Sequence, residues 1–145
     1  MKILVVNGPN LNFLGKREID IYGKKDYNSL VNYIKTYCHQ NNIEVIFFQS
    51  NSEGAIIDKL YEEYTNIDGI VINGGAYAHT SIAIMDCIKG INIPTINVHL
   101  TNVNSREHFR HIDYLSMVSL KTFMGKGFDS YIDAIVYLKN RRDDK

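Results

Sequence analysis

The strongest constraint on this chain is a rhythm of five short apolar runs, rich in β-branched residues, with helical patterns set between and after them. The runs are ILVV at 3–6, VIFF at 45–48, GIVI at 69–72, TINV at 95–98 and MVSL at 117–120. They are continuous more than alternating, the pattern of strands covered on both faces. Tyr27, Leu30, Val31, Ile34 and Cys38 recur at helical spacing. So do Ile56, Ile57, Leu60, Tyr61 and Tyr64, behind Ser50-x-x-Glu53, which has the form of a capping box. A third helix is predicted over 80–89, after the Gly74-Gly75 breaker, and a last one over 129–140. Strands alternating with helices imply right-handed crossovers and a parallel sheet. The predicted fold is therefore α/β, with a doubly wound parallel sheet; in the flavodoxin-like order 2-1-3-4-5, strands one, three and four would be contiguous.

A chain of 145 residues suits one domain, predicted to span 1–145, with only 141–145 reading as a frayed charged tail. Sixteen basic side chains balance sixteen acidic ones, so there is no cationic surplus to bind nucleic acid or a membrane surface. Cys38 and Cys87 lie in apolar helical patterns without CxxC spacing and read as buried, reduced thiols. No run approaches the roughly twenty apolar residues of a membrane span, and MKILVV is too short for a signal peptide. The expectation is a cytoplasmic protein.

In sheets of this kind ligands bind outside the carboxyl ends of the strands, where strand order reverses. Three loops there are chemically rich. The first, residues 7–23, offers Asn7, Asn10, Asn12, Arg17 and Tyr22. It has neither the G-x-G-x-x-G spacing nor a P-loop lysine, and its seventeen residues far exceed the usual two to six, which favours a binding loop or lid. An arginine near a tyrosine is the pairing that lowers a phenol pKa. The loop after the third run carries Asn73, two glycines and His79, with helix-start amides that would favour an anion. After the fourth run the signal is sharpest. Thr95, Asn97, His99 and Thr101 share one strand face, a polar row that is costly in a core and ordinary in an active site. Arg106 and Arg110 follow as partners for a carboxylate or phosphate. His108 and His111 lack zincin spacing, and Ser81 and Ser105 lack a base at a defined spacing, so neither a metal site nor a serine nucleophile is predicted. What remains is acid–base chemistry on a small anion, without cofactor.

GPNLNFLGKRE at 8–18 with Tyr22-Gly23, QSNSEG at 49–54, INGGAYAHTS at 72–81, VHLTN at 98–102 and REHFRH at 106–111 together resemble type II 3-dehydroquinate dehydratase, over nearly the whole chain. The resemblance implies a flavodoxin-like three-layer sandwich with a five-stranded parallel sheet in the order 2-1-3-4-5, and dehydration of 3-dehydroquinate to 3-dehydroshikimate, a shikimate-pathway step, by anti elimination through an enolate. It implies Tyr22 as general base, Arg17 as the group that keeps that tyrosine ionised, Asn12 as holder of a water against the enolate oxygen, and His99 as general acid. Asn73, His79, Leu100, Thr101 and Arg110 match substrate-binding positions, with Asn97, Asn10 and Arg106 in support. Asp86 matches an acidic position that reaches a neighbouring subunit's site. The implied assembly is a dodecamer of four trimers, without metal or Schiff-base lysine.

The chain departs from the family pattern at Gly74, Met85, Thr101 and His108, where Pro, Arg, Ser and Pro are usual, and at Asn97, where Glu is usual. An amide at 97 can hold the imidazole but supplies it no charge. The alternative function is a catalytically weakened homologue serving as a small-anion binding or structural assembly. Asn97 motivates it, while intact Tyr22, Arg17 and His99 oppose it. A phosphoacceptor domain on this fold would need acidic residues where Asn7 and Asn73 stand.

Overall fold

The structure, a computed structural model, describes residues 1–16, 20 and 25–144. Its strands are β1 (Lys2–Asn7), β2 (Glu44–Gln49), β3 (Gly69–Asn73), β4 (Thr95–His99) and β5 (Lys121–Met124), all parallel in one sheet ordered β2-β1-β3-β4-β5. Among the described residues the α-helices are α1 (Tyr27–Gln40), α2 (Glu53–Glu63), α3 (Ile82–Ile91) and α4 (Asp129–Asp143). This is the doubly wound parallel sheet that the run pattern predicts, in the flavodoxin-like form that the resemblance implies.

The continuous apolar runs are explained by the layers they feed. Ile3 and Val5 pack with Val71, Ile96 and Val98 beneath α1 and α4, through Leu30, Ile34, Ile135 and Leu138. Leu4 and Val6 turn the other way and pack with Ile70 and Ile72 beneath α2 and α3, through Ile56, Leu60, Ile84 and Ile88. Each strand residue thus serves one of two cores, and each such burial stabilises by about 1.5–3 kcal/mol. Register then levels the carboxyl ends: Asn7 pairs with both Gln49 and Asn73, and Ile72 pairs with Asn97.

Four local expectations are corrected. The fifth strand is not 117–120 but Lys121–Met124; residues Ser116–Val118 form a 3-10 turn, and Met117 and Leu120 are 65% and 47% exposed. The Leu120 N–H bonds the Thr95 carbonyl and starts the pairing one residue later than the apolar run ends. An edge strand needs no continuous apolar run, because only part of it is covered. The capping box is replaced by a simple cap in which Ser52 Oγ accepts from the Ala55 N–H, while Ser50 Oγ accepts from the Ser52 N–H. The third helix begins at Ile82 and ends at Ile91, capped by Ser81 at its start and closed by Asn92 at φ 55°. Finally, α4 continues to Asp143, and Arg142 reaches Asp68 at 3.2 Å, so that tail is helical over most of its length. No helix of the described residues is long and apolar enough to cross a membrane.

Candidate active site

The carboxyl ends of β1, β3 and β4 open into one cleft. Asn73, Gly75, Ala76 and His79 line it from the β3 side; His99, Leu100 and Thr101 line it from the end of β4. Pro9 to Leu11 close a third wall, and Arg106 and Arg110 stand at its rim. The floor depends on two glycines. A Cβ on Gly8 would lie 2.2 Å from the Gly74 carbonyl oxygen, and Gly75 adopts φ +58° with its Cβ position 3.0 Å from the Pro9 carbonyl. These contacts let the loops after β1 and β3 touch backbone to backbone, reinforced by the Gly8 N–H on the Asn73 carbonyl at 2.8 Å. The cleft is therefore lined by the backbone of a 3-10 turn (Gly75–His79), and the start of α3, already capped by Ser81, lies outside it.

Beneath this floor runs a buried polar chain. Tyr131, carried on α4 and fully buried, donates from its hydroxyl to Asn7 Oδ1 at 2.6 Å and accepts from Asn73 Nδ2 at 2.9 Å. Asn73 Oδ1 in turn accepts from the Gly75 N–H at 3.1 Å. Burial pushes the Tyr131 phenol pKa upward, so the group stays protonated and works as a strut.

On β4 the polar row is wholly buried. His99, 4% exposed, places Nε2 2.7 Å from Asp113 Oδ2. Asn97 Nδ2 donates to the same oxygen at 2.8 Å and to Thr122 Oγ1 at 3.2 Å. The second oxygen of Asp113 accepts from the Ser116 N–H at 3.1 Å. Burial alone would raise the Asp113 pKa; the hydrogen bond and charge of His99, with the bonds from Asn97 and Ser116, outweigh it and hold the carboxyl below its ordinary value. The imidazole thus does have a carboxylate partner. It comes from Asp113, and residue 97 supplies only an amide that aims it. Sequence reading missed Asp113, which sits between Ile112 and Tyr114 with no periodic pattern to mark it as inward-facing.

His79 stacks on His99, with ring centroids 5.8 Å apart and planes 13° from parallel. Its Nδ1 lies 2.7 Å from the Ile112 carbonyl, which can only accept, so Nδ1 carries the hydrogen and Nε2 is the ring's acceptor. Burial depresses the His79 pKa, the neighbouring His99 adds to this, and the Ile112 carbonyl opposes it. At neutral pH His79 is an uncharged acceptor.

The cleft brings together His99, Asn73, His79, Leu100, Thr101, Asn10, Arg106 and Arg110, eight of the residues predicted to form a site. Arg110 is steadied by Glu107, whose Oε2 lies 2.5 Å from its Nε. Asn97 lies behind the wall, against Asp113. Asn12 stands exposed outside the lining, in the turn Leu11–Phe13, and its Oδ1 accepts from Gln49 Nε2 at 3.4 Å. Asp86 points outward from α3 and takes no part in the cleft. Tyr22 and Arg17 lie outside the described residues. Among the described residues no group of three or more His, Cys, Asp or Glu side chains could hold a metal ion.

A doubly wound sheet with a polar cleft of this composition defines a class, and comparison with known proteins gives the family within it. The chain matches the dehydroquinase class II family over residues 1–139. It is 50% identical to a 3-dehydroquinate dehydratase of Caldicellulosiruptor saccharolyticus over 139 residues, covering 95% of this chain and 96% of that one. Against the 3-dehydroquinate dehydratase of Clostridium perfringens (strain 13 / Type A) identity is 49% over 146 residues, with both chains covered completely. The crystal structure of type II dehydroquinase from Butyrivibrio crossotus superposes with a TM-score of 0.94 at 55% identity, over 96% of this chain and 97% of that one. The type II dehydroquinase of Propionibacterium acnes gives a TM-score of 0.90 at 34% identity, over 94% of each chain. This chain belongs to the type II dehydroquinase family.

Proposed function

We propose that the protein is a 3-dehydroquinate dehydratase working by cofactor-independent anti elimination. The observation that carries this reading is the convergence of a carboxylate-held imidazole, a neutral histidine acceptor, a fixed amide and an arginine on one cleft. Elimination beside a ketone needs a base, an acid for the leaving group and donors for the enolate oxygen. Tyr22, its phenol kept ionised by Arg17, takes a proton from the carbon next to the ketone, and the electron pair moves onto the carbonyl oxygen as an enolate. Asn12 holds a water against that oxygen. The enolate then collapses to the conjugated enone, expelling the hydroxyl, which leaves as water after taking a proton from His99. Arg110 meets the substrate carboxylate, while Asn73, His79, Leu100 and Thr101 hold the ring and its hydroxyls, with Asn10 and Arg106 in support.

The same reading makes the protein a single domain acting in the cytoplasm, assembled as a dodecamer of four trimers in which Asp86 reaches a neighbouring subunit's cleft. The exposed apolar side chains of Phe109, Ile112 and Met117 favour an assembly that covers them. Sedimentation equilibrium tests that part. The function itself is tested by mixing purified protein with 3-dehydroquinate and following the ultraviolet absorbance of the conjugated enone. Growth of that absorbance is expected; its absence with intact, folded protein would overturn the assignment.

A further inference from the structure

Resting on the reading of His99 as the acid, we propose that Asp113 is the positioning residue for that acid, with Asn97 as the amide that aims its carboxylate. Asp113 is 9% exposed, in the loop that leads to β5. An ionised carboxyl is placed so deep only when hydrogen bonds compensate it. Its Oδ2 faces two donors, His99 Nε2 at 2.7 Å and Asn97 Nδ2 at 2.8 Å, and its Oδ1 takes the Ser116 N–H. Because a carboxylate only accepts, Nε2 must carry a hydrogen, and Nδ1 becomes the ring nitrogen that serves the cleft. An acid that protonates a departing hydroxyl needs this division of labour. The carboxylate selects the nitrogen that delivers the proton and offsets the positive charge the ring carries beforehand.

Position 97 follows from the same geometry. Asn97 Nδ2 lies 3.5 Å from His99 Nε2, two donors sharing one acceptor. A second carboxylate at 97 would face Asp113 Oδ2 where the Asn97 amide now lies at 2.8 Å, and two like charges so close cannot both ionise freely. The pocket therefore holds one carboxylate and one amide. His79 does not compete for the carboxylate, since its Nδ1 is committed to the Ile112 carbonyl. Two consecutive loop residues, Ile112 and Asp113, thus hold the two stacked imidazoles.

The test compares wild type with Asp113→Asn, Asn97→Asp and the exchange Asn97→Asp/Asp113→Asn, which restores the same pair of groups in reversed positions. Long-range proton–nitrogen NMR of the imidazoles, with His99 assigned by difference from His99→Gln, reads where the ring proton sits. Kinetics with 3-dehydroquinate read kcat and KM separately, and thermal unfolding reports that each variant is folded. In wild type the His99 signal should show a protonated, hydrogen-bonded Nε2. Asp113→Asn should shift that signal and lower kcat at least about tenfold, less than the full ~10²–10⁴ that the proton donor itself contributes, with KM changed less than about threefold. The exchange should recover the signal and most of the lost kcat. Asp113→Asn with an unchanged His99 signal overturns the proposal. So does a loss that falls on KM alone, or an exchange that restores the signal without restoring kcat. If wild type turns over no substrate, the functional reading fails, and the NMR arm still decides whether Asp113 fixes the ring.

Discussion

Tyr131 accepts a 2.9 Å hydrogen bond from Asn73, and so the last helix of the chain fixes a residue at the mouth of the third strand. The same hydroxyl donates to Asn7 at the end of β1, tying two strand ends to α4 through one buried atom. Tyr131→Phe keeps the ring's packing and removes only that atom. It leaves Asn7 Oδ1 and Asn73 Nδ2 buried without their partner, which costs about 1–3 kcal/mol. Urea unfolding should show that loss, and KM for 3-dehydroquinate should rise because Asn73 is no longer held.

The approach of the loops after β1 and β3 leads to a second expectation. At Gly8 an added methyl meets the Gly74 carbonyl at 2.2 Å, and backbone on both sides cannot swing aside. Gly8→Ala should therefore destabilise by about 1–3 kcal/mol, the usual range for overpacking, and distort the cleft floor. A lower Tm together with lower kcat/KM is the result expected from calorimetry and kinetics.

Stability should fall in acid in two stages. The folded-state pKa of His79 lies below its ordinary 6.5, so the unfolded chain takes up that proton first as pH drops. Its contribution is complete above about pH 6.5 and is lost as pH falls through the folded value. Asp113, whose pKa is held below its ordinary 3.8, contributes fully above that pH and loses its contribution as pH falls through its own lower folded value. The unfolding free energy of His79→Gln, measured across pH, should lack the upper of these two declines and keep the lower.

Arg110 is 23% exposed along its side chain and carries Glu107 on its Nε. In the proposed reaction it meets the substrate carboxylate at the cleft, and it is not deeply buried itself. Arg110→Ala should weaken binding of carboxylate-bearing substrate analogues by about 2 kcal/mol, the lower end for a charged partner left unpaired, since solvent screens part of the loss. Titration calorimetry with such an analogue checks this.

The fold was legible wherever both faces of an element are covered. β1 and β3 carry continuous apolar runs because each alternate residue enters a different core, and that pattern survives in one dimension. β5 lies at the sheet edge, so KTFM carries only a weak signal, and the neighbouring MVSL run misled because Met117 and Leu120 lie outside the core despite their apolarity. Within the site, His99 and Asn97 were legible as a polar row on one strand face. Asp113 was not, because its inward turn is set by donors fourteen and sixteen residues earlier in the chain. Tyr131 was hidden for the same reason: its partners Asn73 and Asn7 lie 58 and 124 residues away.

In the proposed reaction this cleft eliminates water from 3-dehydroquinate with His99 as acid and Tyr22 as base. This assignment is tested most directly by the rate of enone absorbance growth for wild type beside His99→Gln and Tyr22→Phe, all at equal concentrations of folded protein. Wild type should turn over, and each variant should be slower by roughly 10²–10⁴, the contribution of a positioned proton-transfer group. Variants that match wild type, or a folded wild type that produces no enone, would contradict it.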